Sequence, residues 1–244
     1  MSDDRSDATR AAADRRQRAL GVESGAARAA VLGINDGLVT NTSLILGVVG
    51  ASSAESVVQL AGFASLVAGA CSMAVGEYVS MRAQEELLTR LLDDERQAMR
   101  DDPGRERDVI RATLEKHGFR RATADAATKD LTENPEQALG VYARAVLGVN
   151  PDELGSPWAA ALSSFVAFAA GALVPLLPWL VAGRSVALGV SLALSGAAAL
   201  VIGGALGYLS NRRVAHSALR QLFVVALASA VTYVIGRLFG VFNL

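Results

Sequence analysis

The sequence predicts an all-α, polytopic membrane protein with five transmembrane helices and a small cytosolic helical insert between spans two and three. Of the 244 residues, 52% are apolar and only 19% are charged, which is unusually apolar for a soluble domain. Residues 157–183 and 185–211 carry no charge and are each 27 residues long, and the run 57–76 adds another 20 uncharged residues. Because about 20 apolar residues cross a bilayer as a helix, several segments are long enough to span.

Five segments fit this length, and we predict spans at residues 28–50, 57–81, 158–182, 186–210 and 217–239. The arginine-rich first 25 residues lack the apolar core of a cleavable signal peptide. The predicted organisation is therefore a polar tail at 1–25, spans one and two at 26–82, a helical insert at 83–156 and spans three to five at 157–244. In span four, Gly203 and Gly207 form a GxxxG pattern that favours helix packing, either within the chain or at a subunit interface.

The basic residues indicate the orientation of these spans. An odd number of spans puts the two termini on opposite sides of the membrane. If the N-terminus is cytosolic, 21 of the 23 Lys and Arg residues fall on the cytosolic side, as the positive-inside rule requires. We therefore expect a cytosolic N-terminus and insert, a C-terminus on the far side, and a location in the plasma membrane.

The segment 82–156 differs from the spans because it contains 12 basic and 16 acidic residues. Asp102 can cap a helix that has Pro103 at its first position, and Gly118 is a natural C-terminal stop. The leucines within 87–92 keep a helical stripe running on from span two, so we predict that this helix projects into the cytosol and stops near residue 101. We predict further helices at about 103–118, 123–133 and 135–148. Most of the charges of this insert are interpreted as a solvated surface.

Two acids, Asp36 and Glu77, lie inside predicted spans one and two. A charged group at such a depth costs several kcal/mol, so it indicates function unless a buried base pairs with it. The central parts of the five predicted spans contain no base, which argues against a structural ion pair. At about 1.5 Å per residue, Met73 on span two lies at the same depth as Asp36 on span one. The three side chains are therefore the candidates for a transport path.

Small and polar residues accompany these three side chains on both spans, and Thr40, Ser72 and Ser80 are candidates for lining the path. Met73 alone would be interpreted as apolar filling, but at the depth of Asp36 it is a candidate soft ligand. Carboxylate oxygens with one thioether suit Fe²⁺ or Mn²⁺ better than Ca²⁺ or Mg²⁺. A carboxylate for which metal and proton compete also provides a simple basis for exchanging one against the other.

Three motifs resemble those of the vacuolar iron transporter family: GINDGLVT at 33–40, MAVGEYVS at 73–80 and LGSPW at 154–158. The resemblance covers nearly the whole chain after about residue 25 and identifies a bacterial-type member. It implies a five-helix homodimer that exports Fe²⁺ or Mn²⁺ from the cytosol in exchange for protons. It also implies a path along the dimer axis, lined by spans one and two. The family's functional Asp, Met and Glu fall on Asp36, Met73 and Glu77.

The resemblance further implies a metal-binding site in the cytosolic insert, to which Glu95 and Glu106 would contribute. Their expected partners one helical turn on are replaced by Ala98 and Val109. Where the family's last insert helix has a Met-Met-x-x-Glu motif, residues 142–148 read YARAVLG. The insert is therefore poor in ligands, and we expect weak metal binding there.

The leading hypothesis is a proton-coupled exporter of Fe²⁺ or Mn²⁺ that acts as a homodimer in a lipid bilayer. The alternatives are a carrier for another cation, which the ligand-poor insert favours, and a non-transporting scaffold whose insert binds a partner. No nucleophile–base pair, zinc spacing or phosphate loop is visible, so we do not expect an enzyme or a tightly bound cofactor. The net charge of −1 gives no indication of nucleic-acid binding.

Overall fold

The computed structural model describes residues 25–51, 54–145 and 155–242, which form eight helices and no strand. In chain order these are α1 (Gly25–Gly50), α2 (Glu55–Asp101), α3 (Pro103–Lys116), α4 (Arg121–Thr132), α5 (Pro135–Ala145), α6 (Pro157–Val181), α7 (Arg184–Leu209) and α8 (Val214–Phe242). The predicted tail at 1–25 lies almost entirely outside the described residues, as do the last residues of the predicted helix 135–148.

The predicted fold class is confirmed: the described residues are all-helical, with five helices long and apolar enough to cross a membrane. These are α1, α2, α6, α7 and α8. Helix α2 has 47 residues and continues beyond span two to Asp101, which confirms the predicted extension of this helix. The chain forms two compact units, a membrane unit of Met1–Val79 with Ser156–Leu244 and an insert unit of Ser80–Gly155.

Helix α1 lies in the middle of the membrane unit, where it packs most extensively against α6 and also contacts α8 and α7. Two glycines permit its close approach to α6. A Cβ atom on Gly33 would lie 2.9 Å from the backbone oxygen of Ser164, and one on Gly37 would lie 2.9 Å from the backbone nitrogen of Ala172. The order of these contacts shows that α1 and α6 run in the same direction.

Side-chain hydrogen bonds hold α1 to three neighbouring helices. Inside a membrane such bonds contribute about 0.6 to 2 kcal/mol each. The pairs are Asn41 to the Ala172 oxygen of α6 at 2.6 Å, Thr42 to Ser195 of α7 at 3.1 Å, Thr232 of α8 to the Ser43 oxygen at 2.7 Å, and Gln221 of α8 to Asn35. These bonds hold the middle of α1, from Asn35 to Ser43, in rotation and height.

The GxxxG pattern of α7 packs within the chain. A Cβ atom on Gly203 would lie 2.7 Å from the Ser217 oxygen of α8, and one on Gly207 would lie 2.8 Å from the Ser217 Cβ. Asn211, at a φ of 50°, forms part of the tight turn that joins the two helices. The two glycines therefore bring α7 and α8 together in an antiparallel hairpin.

Two prolines, Pro175 and Pro178, lie inside the last turns of α6, where each removes a backbone donor. Side chains from two other helices donate to backbone oxygens of this segment. Ser191 of α7 donates to the Pro175 oxygen at 2.7 Å, and Gln59 of α2 donates to the Trp179 oxygen at 2.6 Å. We call this end of the membrane unit, where α1 ends and α2 and α7 begin, the loop end.

The insert unit contains the second part of α2 together with α3, α4 and α5. Helix α3 packs against α4, and α4 packs against α5. Its small apolar interior includes Ile110, Ala124 and Leu139, each at most 5% exposed. The Asp102 carboxylate accepts a hydrogen bond from the Gly104 N–H at 3.2 Å, which caps the start of α3.

Candidate functional site

Asp36 lies in the membrane-spanning part of α1 with an exposed side chain. Thr40, one helical turn further on, donates a hydrogen bond from its Oγ1 to the Asp36 Oδ1 at 3.3 Å. The predicted lining residue Thr40 is therefore a direct partner of the carboxylate. A second acceptor site on the carboxylate and its exposed position leave room for a cation or a proton.

The contacts of the neighbouring glycines explain why Asp36 points outward. Gly33 and Gly37 are buried against α6, and side chains on consecutive helical residues diverge by about 100°. The close contact at Gly37 thus turns Asp36 away from α6. A stripe of small residues permits either close helix approach or a narrow water-filled path. The contacts of Gly33 and Gly37 show close helix approach.

Met73 lies on α2, half-buried against a cluster formed by Ala70, Phe168 and Ala172. The Phe168 ring fills the space beside Gly69, one turn before Met73, while the backbone of the same phenylalanine contacts Gly37 of α1. Asp36 and Met73 therefore lie near the same residue of α6, Phe168. The Met73 side chain is thus part of the apolar packing, while its neighbour Ser72 is exposed.

Glu77 lies one turn beyond Met73 and is half-buried. Next to it, the Tyr78 ring packs on the Trp158 ring at the start of α6, with centroids 4.8 Å apart and an angle of 50° between the planes. This aromatic pair ties α2 to α6 at the end opposite the loop end. Ser72 and Ser80 are both exposed on α2, and Ser80 accepts a hydrogen bond from Gln84 at 3.3 Å.

The described part of a single chain does not gather a full set of metal ligands. Among the described residues, no group of three or more His, Cys, Asp or Glu side chains is arranged to hold a metal ion. Asp36 is on α1, whereas Met73 and Glu77 are on α2. The face that carries Asp36 and the exposed face of α2 are open in the isolated chain.

In the insert unit, Glu95 is half-buried and its Oε1 atom is buried without a hydrogen-bond partner. Ala98, one turn on, offers no ligand atom. The Glu106 side chain lies outside the described residues, as do residues 146–148 of the motif at 142–148. Nothing described in this unit therefore completes a site around Glu95.

Basic and acidic side chains lie together in one cleft of the insert unit. A cleft of about 630 Å³ between α3 and α4 has three basic and three acidic side chains in its lining, namely Arg107, Arg111, Lys129, Asp108, Asp125 and Glu133. Arg111 pairs with Asp108 at 2.8 Å and with Asp125 at 3.7 Å.

Arg82 lies just beyond span two and stays cationic. A hydrogen bond to Glu85 and the negative charge of Glu85 raise the pKa of Arg82, and the charge of Glu86 raises it further.

Sequence reasoning missed the intramembrane amides. Asn35 precedes Asp36 and accepts a hydrogen bond from Gln221 of α8, and Gln59 bonds the end of α6. The signal was present for Gln59, which is an isolated polar residue within the uncharged run 57–76, but not for Gln221, which directly follows Arg220. An amide in such a place needs a partner, but its identity does not follow from the sequence.

The fold and these side chains define a helical integral membrane protein that carries acids within its spans. The VIT family model matches residues 27–237, so the chain belongs to that family. It is 36% identical over 219 residues to "Vacuolar iron transporter homolog 1" of Oryza sativa subsp. japonica, covering 87% of this chain and 73% of that protein. It is 26% identical over 208 residues to "Vacuolar iron transporter 1" of Arabidopsis thaliana, covering 85% and 83%. The predicted resemblance is confirmed, and these relatives are named as transporters and not as enzymes.

Proposed function

We propose that this protein exports Fe²⁺ or Mn²⁺ from the cytosol in exchange for protons. The observation that carries the proposal is the exposed carboxylate of Asp36 within a membrane span, in a chain that belongs to the VIT family. The relatives' names specify iron. The extension to Mn²⁺ rests on ligand chemistry, because oxygen donors with one thioether suit both ions.

The Asp36 carboxylate provides the coupling. It can hold a divalent ion or a proton but is costly as a bare anion within the bilayer. Metal release on the far side is therefore favoured when a proton replaces the metal, and proton release to the cytosol is favoured when metal arrives. Met73 would supply the soft ligand, and Glu77 would receive the cation nearer the cytosol. Thr40 would orient the carboxylate through its hydrogen bond at 3.3 Å.

A homodimer would complete the ligand set. First-row ions usually take four to six ligands including water, and one chain offers a single Asp36 and a single Met73. A two-fold axis beside α1 and α2 would double both. It would also remove Asp36 from contact with lipid, where an acid is costly. The exposed apolar residues of α2, such as Phe63 and Val67, suit the same interface.

The proposed orientation has the N-terminus and the insert in the cytosol and the C-terminus on the far side, as the basic residues predict. We propose the plasma membrane as the location, whereas the relatives' names refer to the vacuole. Export from the cytosol has the same direction across either membrane. A fluorescent fusion in the source cell distinguishes the two.

Flux in proteoliposomes tests the function. Purified protein is reconstituted, and uptake of Fe²⁺, Mn²⁺, Co²⁺ and Zn²⁺ is followed with and without a pH gradient, with Asp36→Asn as the matched control. We expect Fe²⁺ and Mn²⁺ flux that is stimulated by protons on the opposite side and absent in the variant. Flux of neither ion, with an intact protein, contradicts the proposal. Flux restricted to Co²⁺ or Zn²⁺ favours the carrier for another cation, which the ligand-poor insert supports.

A further inference from the structure

Helix α2 carries two of the three proposed path residues but is much less buried in the membrane unit than α1 or α6. Its contacts with α6 are made by side chains such as Leu66, Ala70 and Met73, which pack on Phe168 and Leu176. By contrast, side-chain hydrogen bonds hold α1 to three helices along much of its length. Within one chain, the height and rotation of α2 therefore depend on few contacts.

Gln59 provides one of these contacts at the loop end. Its Nε2 donates to the Trp179 backbone oxygen at 2.6 Å, and the side chain is partly buried. Trp179 lies in the last turn of α6, where backbone oxygens lack donors within their own helix. The bond thus satisfies a helix end in an apolar environment, where both groups are costly to leave unpaired.

Glu55, one turn before Gln59, provides the second contact. Its Oε2 accepts a hydrogen bond at 3.2 Å from the backbone N–H of Arg184, the first residue of α7. Its Oε1 accepts from the Gln59 Nε2 at 3.4 Å. A carboxylate at a helix N-terminus is also favoured by the helix dipole. One turn of α2 therefore holds the end of α6 and the start of α7 together.

We propose that Gln59, supported by Glu55, is a positioning residue for the transport path. It fixes the height and rotation of α2, and thereby places Met73 and Glu77 relative to Asp36 on helix α1. Gln59 lies 14 residues before Met73, or about 21 Å along the helix, so it touches no transported ion. This inference rests on the proposed function, because the affected property is affinity for the transported metal.

The test compares Gln59→Leu with Gln97→Leu. Both substitutions replace a glutamine of α2 by a residue of similar size, but Gln97 is exposed and bonds only Asp101 of its own helix among the contacts described, at 2.9 Å. We expect Gln59→Leu to raise the KM for Mn²⁺ about two- to tenfold, the range that corresponds to the loss of one hydrogen bond, at an unchanged maximal rate per folded protein. Gln97→Leu should leave KM unchanged. A wild-type KM in Gln59→Leu, with or without a lower yield, overturns the inference.

A second readout separates this inference from the proposed function. The chain has one cysteine, Cys71, which is exposed on α2 and accepts a nitroxide spin label. We expect the label to become more mobile in Gln59→Leu and not in Gln97→Leu, whether or not metal is transported. If the wild type moves no metal, the proposed function fails, but the label still reports whether Gln59 positions α2. If the label's mobility is unchanged, Gln59 does not position α2.

Discussion

The ring of Phe168 on α6 fills the space that Gly69 leaves on α2. The backbone of Phe168 also contacts Gly37, the residue after Asp36 on α1. One aromatic residue of a third helix therefore relates the two helices that carry Asp36 and Met73. The distance between Asp36 and Met73 therefore depends on how α1 and α2 pack against Phe168 of α6.

Replacing Gly37 by alanine should destabilise the membrane unit. The added Cβ would lie 2.9 Å from the Ala172 backbone nitrogen, and backbone atoms cannot move aside cheaply. Overpacking of this kind costs about 1–3 kcal/mol, so the midpoint of thermal unfolding in detergent should fall. The control is Gly189→Ala in α7, where no atom lies within 4 Å of the added carbon. Equal melting temperatures for the two variants would contradict this account.

Asp36→Asn should abolish metal flux while leaving the fold intact. The substitution keeps the shape and the acceptor for Thr40 but removes the charge that metal and proton share. Glu77→Gln should reduce flux less, because Glu77 lies nearer to cytosolic water in the proposed orientation. Flux in proteoliposomes and elution on size-exclusion chromatography provide the measurement. Wild-type flux in Asp36→Asn would show that the carboxylate mechanism is wrong.

Thr40→Val should weaken metal binding without preventing transport. The valine keeps the shape of threonine but cannot donate to the Asp36 Oδ1. A net loss of about 0.5–1.5 kcal/mol per hydrogen bond predicts a KM for Mn²⁺ that is about two- to tenfold higher. Thr40→Ser keeps the hydroxyl and should behave like the wild type. An equal rise of KM in both variants would assign the effect to packing and not to the hydrogen bond.

The protein should be a homodimer in mild detergent. Light scattering on the eluting protein should give twice the 25.3 kDa mass of one chain, after correction for detergent. The physical reason is that one chain leaves Asp36 exposed and offers too few ligands. A monomer that retains full flux after reconstitution would exclude the shared path.

The insert should bind first-row metals only weakly, at roughly millimolar concentrations, because affinity requires several converging ligands held rigidly. Isothermal titration of Mn²⁺ into the Asp36→Asn protein measures the insert without the proposed transport site. The comparison variant is Asp36→Asn combined with Glu95→Ala. Micromolar binding that disappears in the second variant would show that ligands do converge on Glu95.

Long uncharged runs made spans two, three and four predictable, and spans one and five were predictable as long apolar segments with few charges, because about 20 mostly apolar residues cross a bilayer as a helix. Asp36 and Glu77 were detectable for the same reason, as acids in such segments. Helix neighbours were not predictable in this way. Gly33 and Gly37 lie on a stripe that fits either a water-filled path or a close contact, and the sequence does not say which helix approaches. That information lies in α6, whose Ala172 contacts Asn41 across 131 residues of chain.

The same long separations affect the order in which the protein can be assembled during synthesis. Helix α1 leaves the ribosome first, and it is the least hydropathic of the five spans among the described helices. The partners of its polar side chains, Ala172, Ser195 and Gln221, are translated 131, 153 and 186 residues later. A newly made α1 therefore enters the membrane before the later helices can supply the hydrogen-bond partners of Asn35 and Asn41. We therefore expect truncation before α6 to leave the first span less stably inserted than in the full chain.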